Sequence, residues 1–237
     1  MWKRQLLLGG SIALLLMIGI RGEVVPADNT AEIPAETKYI ALTFDDGPKE
    51  GTTDRLLDGL KERGASATFF VVGEQAEKYP ELVKRMQAEG HQIGNHTWSH
   101  VRLEGAKTDN IEQEIGKTEN LLESILGGKG YWLRPPYGLI TPGTEKLITV
   151  PMVKWSVDPR DWESRNTEKV VQAILKEAKP NSIILLHDIY PTSVDAALKV
   201  VDELQAQGYW FVTVEELLEL NGVTPEAGIL YRTGAGA

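Results

Sequence analysis

The chain has 237 residues, 42% of them hydrophobic, which suffices for a sizeable core and argues against a disordered chain. Its formal net charge is −9 and its pI about 5.1, which argues against nucleic acid as the main partner and leaves a neutral polymer open. It has no cysteine, so it has no disulfide, and cysteine usage says nothing of its redox compartment.

Lys3 and Arg4 precede an apolar run from Leu6 to Ile20, the pattern of a secretory signal. The run falls short of the ~20 residues that a membrane span needs. A clean Ala-x-Ala site is missing, and Val25-Pro26-Ala27 is the best substitute. Residues 1–21 are therefore read as a cleaved signal or a retained anchor, and either places the body outside the cytoplasm. The membrane is expected to be touched only through this segment. Residues 22–37, polar with scattered Pro and Ala, read as a linker.

From Lys38, short apolar runs alternate with amphipathic segments. The runs are 39–44, 67–72, 91–95, 131–133, 151–157, 182–187 and 209–213. Helical patterns lie between them. Thr53 to Arg63 places Leu56, Leu57 and Leu60 on one face. Pro80 to Glu89 starts on proline and stops at Gly90. Asp109 to Leu126 repeats Ile111, Ile115, Leu122 and Ile125, and Thr167 to Ala178 carries Val170, Val171, Ile174 and Leu175. Thr192-x-x-Asp195 and Thr213-x-x-Glu216 read as capping-box starts of two further helices. Strands alternating with helices predict parallel pairing and an α/β domain over 38–220. Periodicity alone leaves an open sheet and a barrel both standing. Residues 221–237, rich in glycine, are expected to be irregular.

Polar clusters follow the strand runs. Asp45 and Asp46 end the first, where Gly47-Pro48 breaks it, and the break allows both carboxylates to turn toward one site. On their own they read equally well as a solvated Asp-Gly turn. His96 and His100 lie four apart, a spacing that puts two imidazoles on one face of a helical turn. With Asp45 or Asp46 they make a two-histidine, one-carboxylate set that leaves a coordination position open. Arg134-Pro135-Pro136-Tyr137-Gly138 is stiffened by its prolines and suits an arginine that orients a carboxylate. Asp158-Pro159-Arg160-Asp161-Trp162 offers carboxylates beside an aromatic ring. His187-Asp188 ends a strongly apolar run, where a histidine could move a proton. In parallel α/β folds active sites are built at the C-terminal strand edge, where all five clusters fall.

Thr43 to Pro48, His96 to His100, Arg134 to Gly138, Asp158 to Trp162 and Leu185 to Asp188 follow one order along the chain. Together they resemble the five motifs of the polysaccharide deacetylase family, also called the NodB-homology family or carbohydrate esterase family 4. The resemblance covers about residues 38–220, with no departure at a motif position. It implies a distorted (β/α) barrel of about seven parallel strands. It also implies one catalytic divalent ion, zinc first, with cobalt, manganese, nickel or iron as alternatives. The implied reaction is hydrolysis of the N-acetyl group of N-acetylglucosamine units. By position, Asp45 looks like the general base, and Asp46, His96 and His100 match the metal ligands. Arg134 matches the residue holding the base, and Tyr137 the one whose backbone N–H binds the oxyanion. His187 matches the general acid, with Asp161 tuning it. Trp162 and Leu185 match the walls of the acetyl pocket.

Export, a possible anchor and the lack of a separate binding module favour peptidoglycan as the polymer. Chitin oligosaccharides and poly-N-acetylglucosamine stay open, as do an acetylxylan esterase, a metal-independent glycosidase and a non-catalytic carbohydrate binder. Trp98, Trp155 and Trp162 are candidates for sugar stacking, with core packing favoured for Trp155. A monomer is expected.

Overall fold

A computed structural model describes residues 37–237, so the expected signal or anchor at 1–21 and nearly all of the expected linker lie outside the described residues. In chain order the elements are β1 (Lys38–Asp45), α1 (Thr53–Glu62), β2 (Thr68–Val71), α2 (Gly73–Lys78), α3 (Pro80–Ala88), β3 (Gln92–Asn95) and α4 (Thr108–Leu126). They continue with α5 (Pro142–Glu145), β4 (Met152–Val153), α6 (Asp161–Ser164), α7 (Thr167–Glu177), β5 (Ile183–His187), α8 (Pro191–Gln205), β6 (Tyr209–Phe211), α9 (Val214–Leu220) and β7 (Leu230–Tyr231). Among the described residues no helix is long and apolar enough to cross a membrane.

Strand β1 is buried from Ile40 to Asp45, as expected of a strand covered on both faces. It pairs in parallel with β2, β5 and β6, and β2 pairs in parallel with β3. The ring then continues through single bridges. Asn95 pairs with Leu133, Leu133 with Met152, and Val157 with Ile184 on β5, all parallel. The path β1, β2, β3, Leu133, the 152–157 segment and β5 thus returns to β1. This is a distorted barrel, with the run at 131–133 reduced to one bridging residue. Prolines limit the ladder: Pro135 and Pro136 shortly after the run, and Pro151 on the neighbouring segment, have no N–H to donate.

The helices pack their apolar faces on this ring. Leu56, Leu57 and Leu60 of α1 and Val194, Ala197, Val200, Val201 and Leu204 of α8 are buried in the main core. The capping box of α9 forms as its sequence indicates: the Thr213 hydroxyl accepts from Glu216 N, and a Glu216 carboxylate oxygen accepts from Thr213 N. The one expected at Thr192 does not. Helix α8 starts on Pro191 with Tyr190 before it, and Asp195 instead pairs with Arg55. A proline is preorganised for the first helical position, so the start moves there.

The C-terminal segment departs from the irregular tail expected. Leu230–Tyr231 pairs in parallel with Met152–Val153, and Gly234 N donates to Asn181 O. Tyr231 is buried, and its hydroxyl accepts from Glu226 N. Two residues of strand are too few for a periodicity signal. Tyr231→Ala should cost about 3 kcal/mol, the lower end of aromatic truncations in cores. Urea unfolding checks this, and an unchanged midpoint would mean the segment carries no stability.

Candidate active site

Strand ends deliver the side chains. Asp45 is the last residue of β1, in register with His187 at the end of β5. Asn95 ends β3, so His96 and the loop to His100 leave from the next stave. Arg134 follows the bridging Leu133. Asp45, Asp46, His96, His100, Tyr137, Trp162, Leu185 and His187 line one cavity of about 400 Å³, joined by Trp155, Asp158 and Tyr190. Backbones here are drawn into the left-handed region, with φ of 72° at Asp46, 67° at Thr97, 57° at His100 and 61° at Tyr137. Non-glycine residues meet steric cost there, and such residues cluster at working sites.

Asp46, His96 and His100 each place one donor atom within 4.8 Å of the others. Asp46 Oδ1 is 3.4 Å from His100 Nε2 and 3.7 Å from His96 Nε2. His96 Nδ1 is 2.7 Å from the Arg134 carbonyl oxygen. A carbonyl only accepts, so Nδ1 holds the proton and Nε2 presents its lone pair inward, as in metal-ligating histidines. Asp46 Oδ1 is buried and has no hydrogen-bond partner among the described residues. Two imidazoles and an orphaned carboxylate oxygen fit a divalent transition ion.

Behind this trio sits Arg134, the largest fully buried side chain. Its Nη1 donates to Asp45 Oδ1 at 2.7 Å and to Thr43 Oγ1 at 2.7 Å; Nη2 donates to Lys154 O at 2.9 Å and Nε to Val153 O at 3.3 Å. Burial alone would raise the Asp45 pKa. The charges of Arg134, His96 and His187, with the Arg134 hydrogen bond, outweigh it and hold the carboxyl below its ordinary value. Asp45 therefore stays ionised at neutral pH, with Oδ2 3.5 Å from His96 Nε2.

On the other side Asp161, fully buried, holds His187. Its Oδ1 is 2.9 Å from His187 Nδ1; its Oδ2 accepts from His187 N at 2.9 Å and from Ser193 Oγ at 2.6 Å. Burial works against the imidazolium. The Asp161 hydrogen bond and charge, then Asp45 and Asp46, prevail and raise the His187 pKa to about 9. Its Nε2 is left for the cavity.

Other side chains take different places. Trp98 is not a free stacking surface: it is buried, with Lys117 Nζ 3.4 Å from its ring centroid. Trp155 is half-buried at the cavity wall, and Trp162 is 43% exposed. Asp188 turns away, fully buried against Gly47 with the Thr53 hydroxyl on Oδ2. A Cβ at Gly47 would collide with its carboxylate, so only glycine lets the turn approach. Tyr190, Ser193 and Thr43 were not legible as site residues. Tyr190 follows His187 by three in the same loop, the one signal available.

A family profile described as Polysaccharide deacetylase matches residues 32–149. The chain is 39% identical over 208 residues to a peptidoglycan-N-acetylglucosamine deacetylase of Bacillus cereus, covering 84% of this chain and 97% of that relative. The chain belongs to the polysaccharide deacetylase family. Another relative within this family is the peptidoglycan-N-acetylmuramic acid deacetylase PdaC of Bacillus subtilis, 40% identical over 198 residues. That match covers 84% of this chain and 42% of PdaC, so the chain spans about two-fifths of PdaC's length. A solved structure described as T48 deacetylase with substrate aligns with TM-score 0.79 at 45% identity, covering 82% of this chain and 96% of that one. Polysaccharide deacetylases are metal-dependent, which agrees with the fit of the Asp46, His96 and His100 donor set.

Proposed function

We propose that the chain removes N-acetyl groups from N-acetylglucosamine residues of peptidoglycan, using zinc held by Asp46, His96 and His100. The carrying observation is the flanking of that trio by two opposed proton carriers, Asp45 locked by Arg134 and His187 locked by Asp161. Bound zinc would polarise the acetyl carbonyl and make a water acidic. Asp45, ionised and aimed at the trio, takes the proton of the attacking water. The backbone N–H of Tyr137 donates to the developing oxyanion. Leu185 and Trp162 wall the space for the acetyl methyl. His187 Nε2–H protonates the amine as it leaves, and Asp161 keeps that imidazole charged and oriented. The basic start at Lys3-Arg4 and the Leu6–Ile20 run support action outside the cytoplasm, on a wall polymer.

The test is acetate release from peptidoglycan, chitin oligosaccharides, poly-N-acetylglucosamine and acetylated xylan, each with chelator and with zinc restored. Release from peptidoglycan should dominate, stop on chelation and return with zinc. Dominant release from xylan would make the chain an esterase, and chelator-insensitive release would remove the metal from the reaction. His100→Ala should weaken zinc affinity at least ~10-fold, since even outer-shell partners of ligands cost about that much. Full zinc occupancy in both His96→Ala and His100→Ala, by elemental analysis, would refute the ligand set.

A further inference from the structure

Five of the eight described arginines, Arg55, Arg63, Arg85, Arg134 and Arg160, form ion pairs with carboxylates. Arg102 and Arg165 do not, among the described residues, and both lie on rings that line the active-site cavity. The Arg102 guanidinium is 4.7 Å from the Tyr137 ring centroid and that of Arg165 is 3.3 Å from Tyr190. Lys154, likewise without a carboxylate partner there, is 5.5 Å from the Trp155 ring. The remaining unpaired arginine, Arg232, is close enough for its charge to be felt at Lys154. On a chain of net charge −9, two of the three arginines without a carboxylate partner among the described residues thus lie against rings of one cavity, with Lys154 beside a third.

We propose that Arg102, Lys154 and Arg165 are specificity-determining residues that bind carboxylates on an acidic glycan strand, on sugars next to the one whose acetyl group is in the cavity. A guanidinium stacked on a ring spends its flat face there and keeps its N–H edge, which forks onto carboxylate. Arg165 is fixed for this by donating Nε–H to Trp162 O at 2.7 Å. Arg160 is excluded from the role because Glu163 Oε2 lies 2.8 Å from its Nε. A neutral N-acetylated polymer has no use for such a rim. A strand carrying a carboxylate on alternate sugars meets positive charge on several sides of the reacting unit.

The proposal rests on the deacetylase reading, and its test separates the two. The full chain, zinc-loaded, is given strands in which N-acetylglucosamine alternates with a lactyl-bearing N-acetyl sugar, as the free acid and as the methyl ester. Each exposed charge pair contributes up to about fivefold, so kcat/KM should favour the free acid by roughly tenfold at low ionic strength. Salt should shrink that ratio. The Arg102→Gln/Lys154→Gln/Arg165→Gln triple variant should bring it near one, while Arg102→Lys/Arg165→Lys keeps most of it. Because the ratio is read within each variant, a general loss of rate does not mimic the result. A wild-type ratio of one, or a preference surviving in the glutamine variant, overturns the rim's role. If no substrate is turned over, the deacetylase reading fails, and titration calorimetry with the two strands still decides whether the rim prefers the acid.

Discussion

Asp45→Asn should lower turnover by roughly 10²–10⁴-fold with zinc still bound, the range that positioned acid–base groups supply. Asparagine keeps the shape of the side chain and can still accept from Arg134 Nη1. It cannot take a proton from water. Asp45 has surroundings that suit the proposed role of base. It is buried, which alone would disfavour its charge, and it is kept ionised by Arg134, His96 and His187. Removing the charge leaves the Arg134 guanidinium buried without its counter-ion, so some stability should be lost as well. Elemental analysis and thermal unfolding must therefore accompany the kinetics. A folded variant with full zinc and unimpaired turnover would remove Asp45 as base. A folded variant without zinc would make Asp45 a ligand and move the base elsewhere.

The parts of this site that were legible in the sequence are those that a strand end delivers by register. Asp45, Asp46, His96, Arg134 and His187 each follow an apolar run, and parallel pairing brings such ends to one edge. Barrel closure was not legible, because the bridges at Leu133 and Val157 are single residues with no alternation to detect. Strand β7 was hidden for the same reason, its two residues lying among turn glycines. Trp98 shows a different failure. The sequence offers it as an exposed ring for sugar stacking, but the local turn carries it into the fold under Lys117. Composition cannot tell an indole facing a cavity from one packed on a helix. The cations around the cavity were invisible for a related reason. Arg102 and Arg165 are separated by 62 intervening residues, and only the fold shows that neither has a carboxylate partner among the described residues.

His187→Ala should also slow deacetylation by roughly 10²–10⁴-fold, but through the leaving group. An amine expelled from a tetrahedral carbon needs a proton, whereas an alkoxide needs one less. The loss should therefore be smaller on an O-acetyl substrate than on an N-acetyl one. Equal losses on both would leave His187 an electrostatic or structural role. The pH profile supplies an independent reading. A general acid works while protonated, and His187 is held up to about 9 by Asp161, Asp45 and Asp46 against its burial. Activity should thus persist through neutral pH and fall as pH rises through His187's own ionisation. A divalent cation beside Asp46 repels the imidazolium and offsets part of the two carboxylates' pull. The alkaline limb of the zinc enzyme is then expected at or below about 9. Asp161→Asn removes the negative charge facing His187 Nδ1 and should move that limb to lower pH, while Asp45, still ionised, leaves the acid limb in place. Measuring kcat/KM against pH for both enzymes decides it. An alkaline limb that does not move in Asp161→Asn would mean that the limb belongs to another group and that Asp161 only holds the loop.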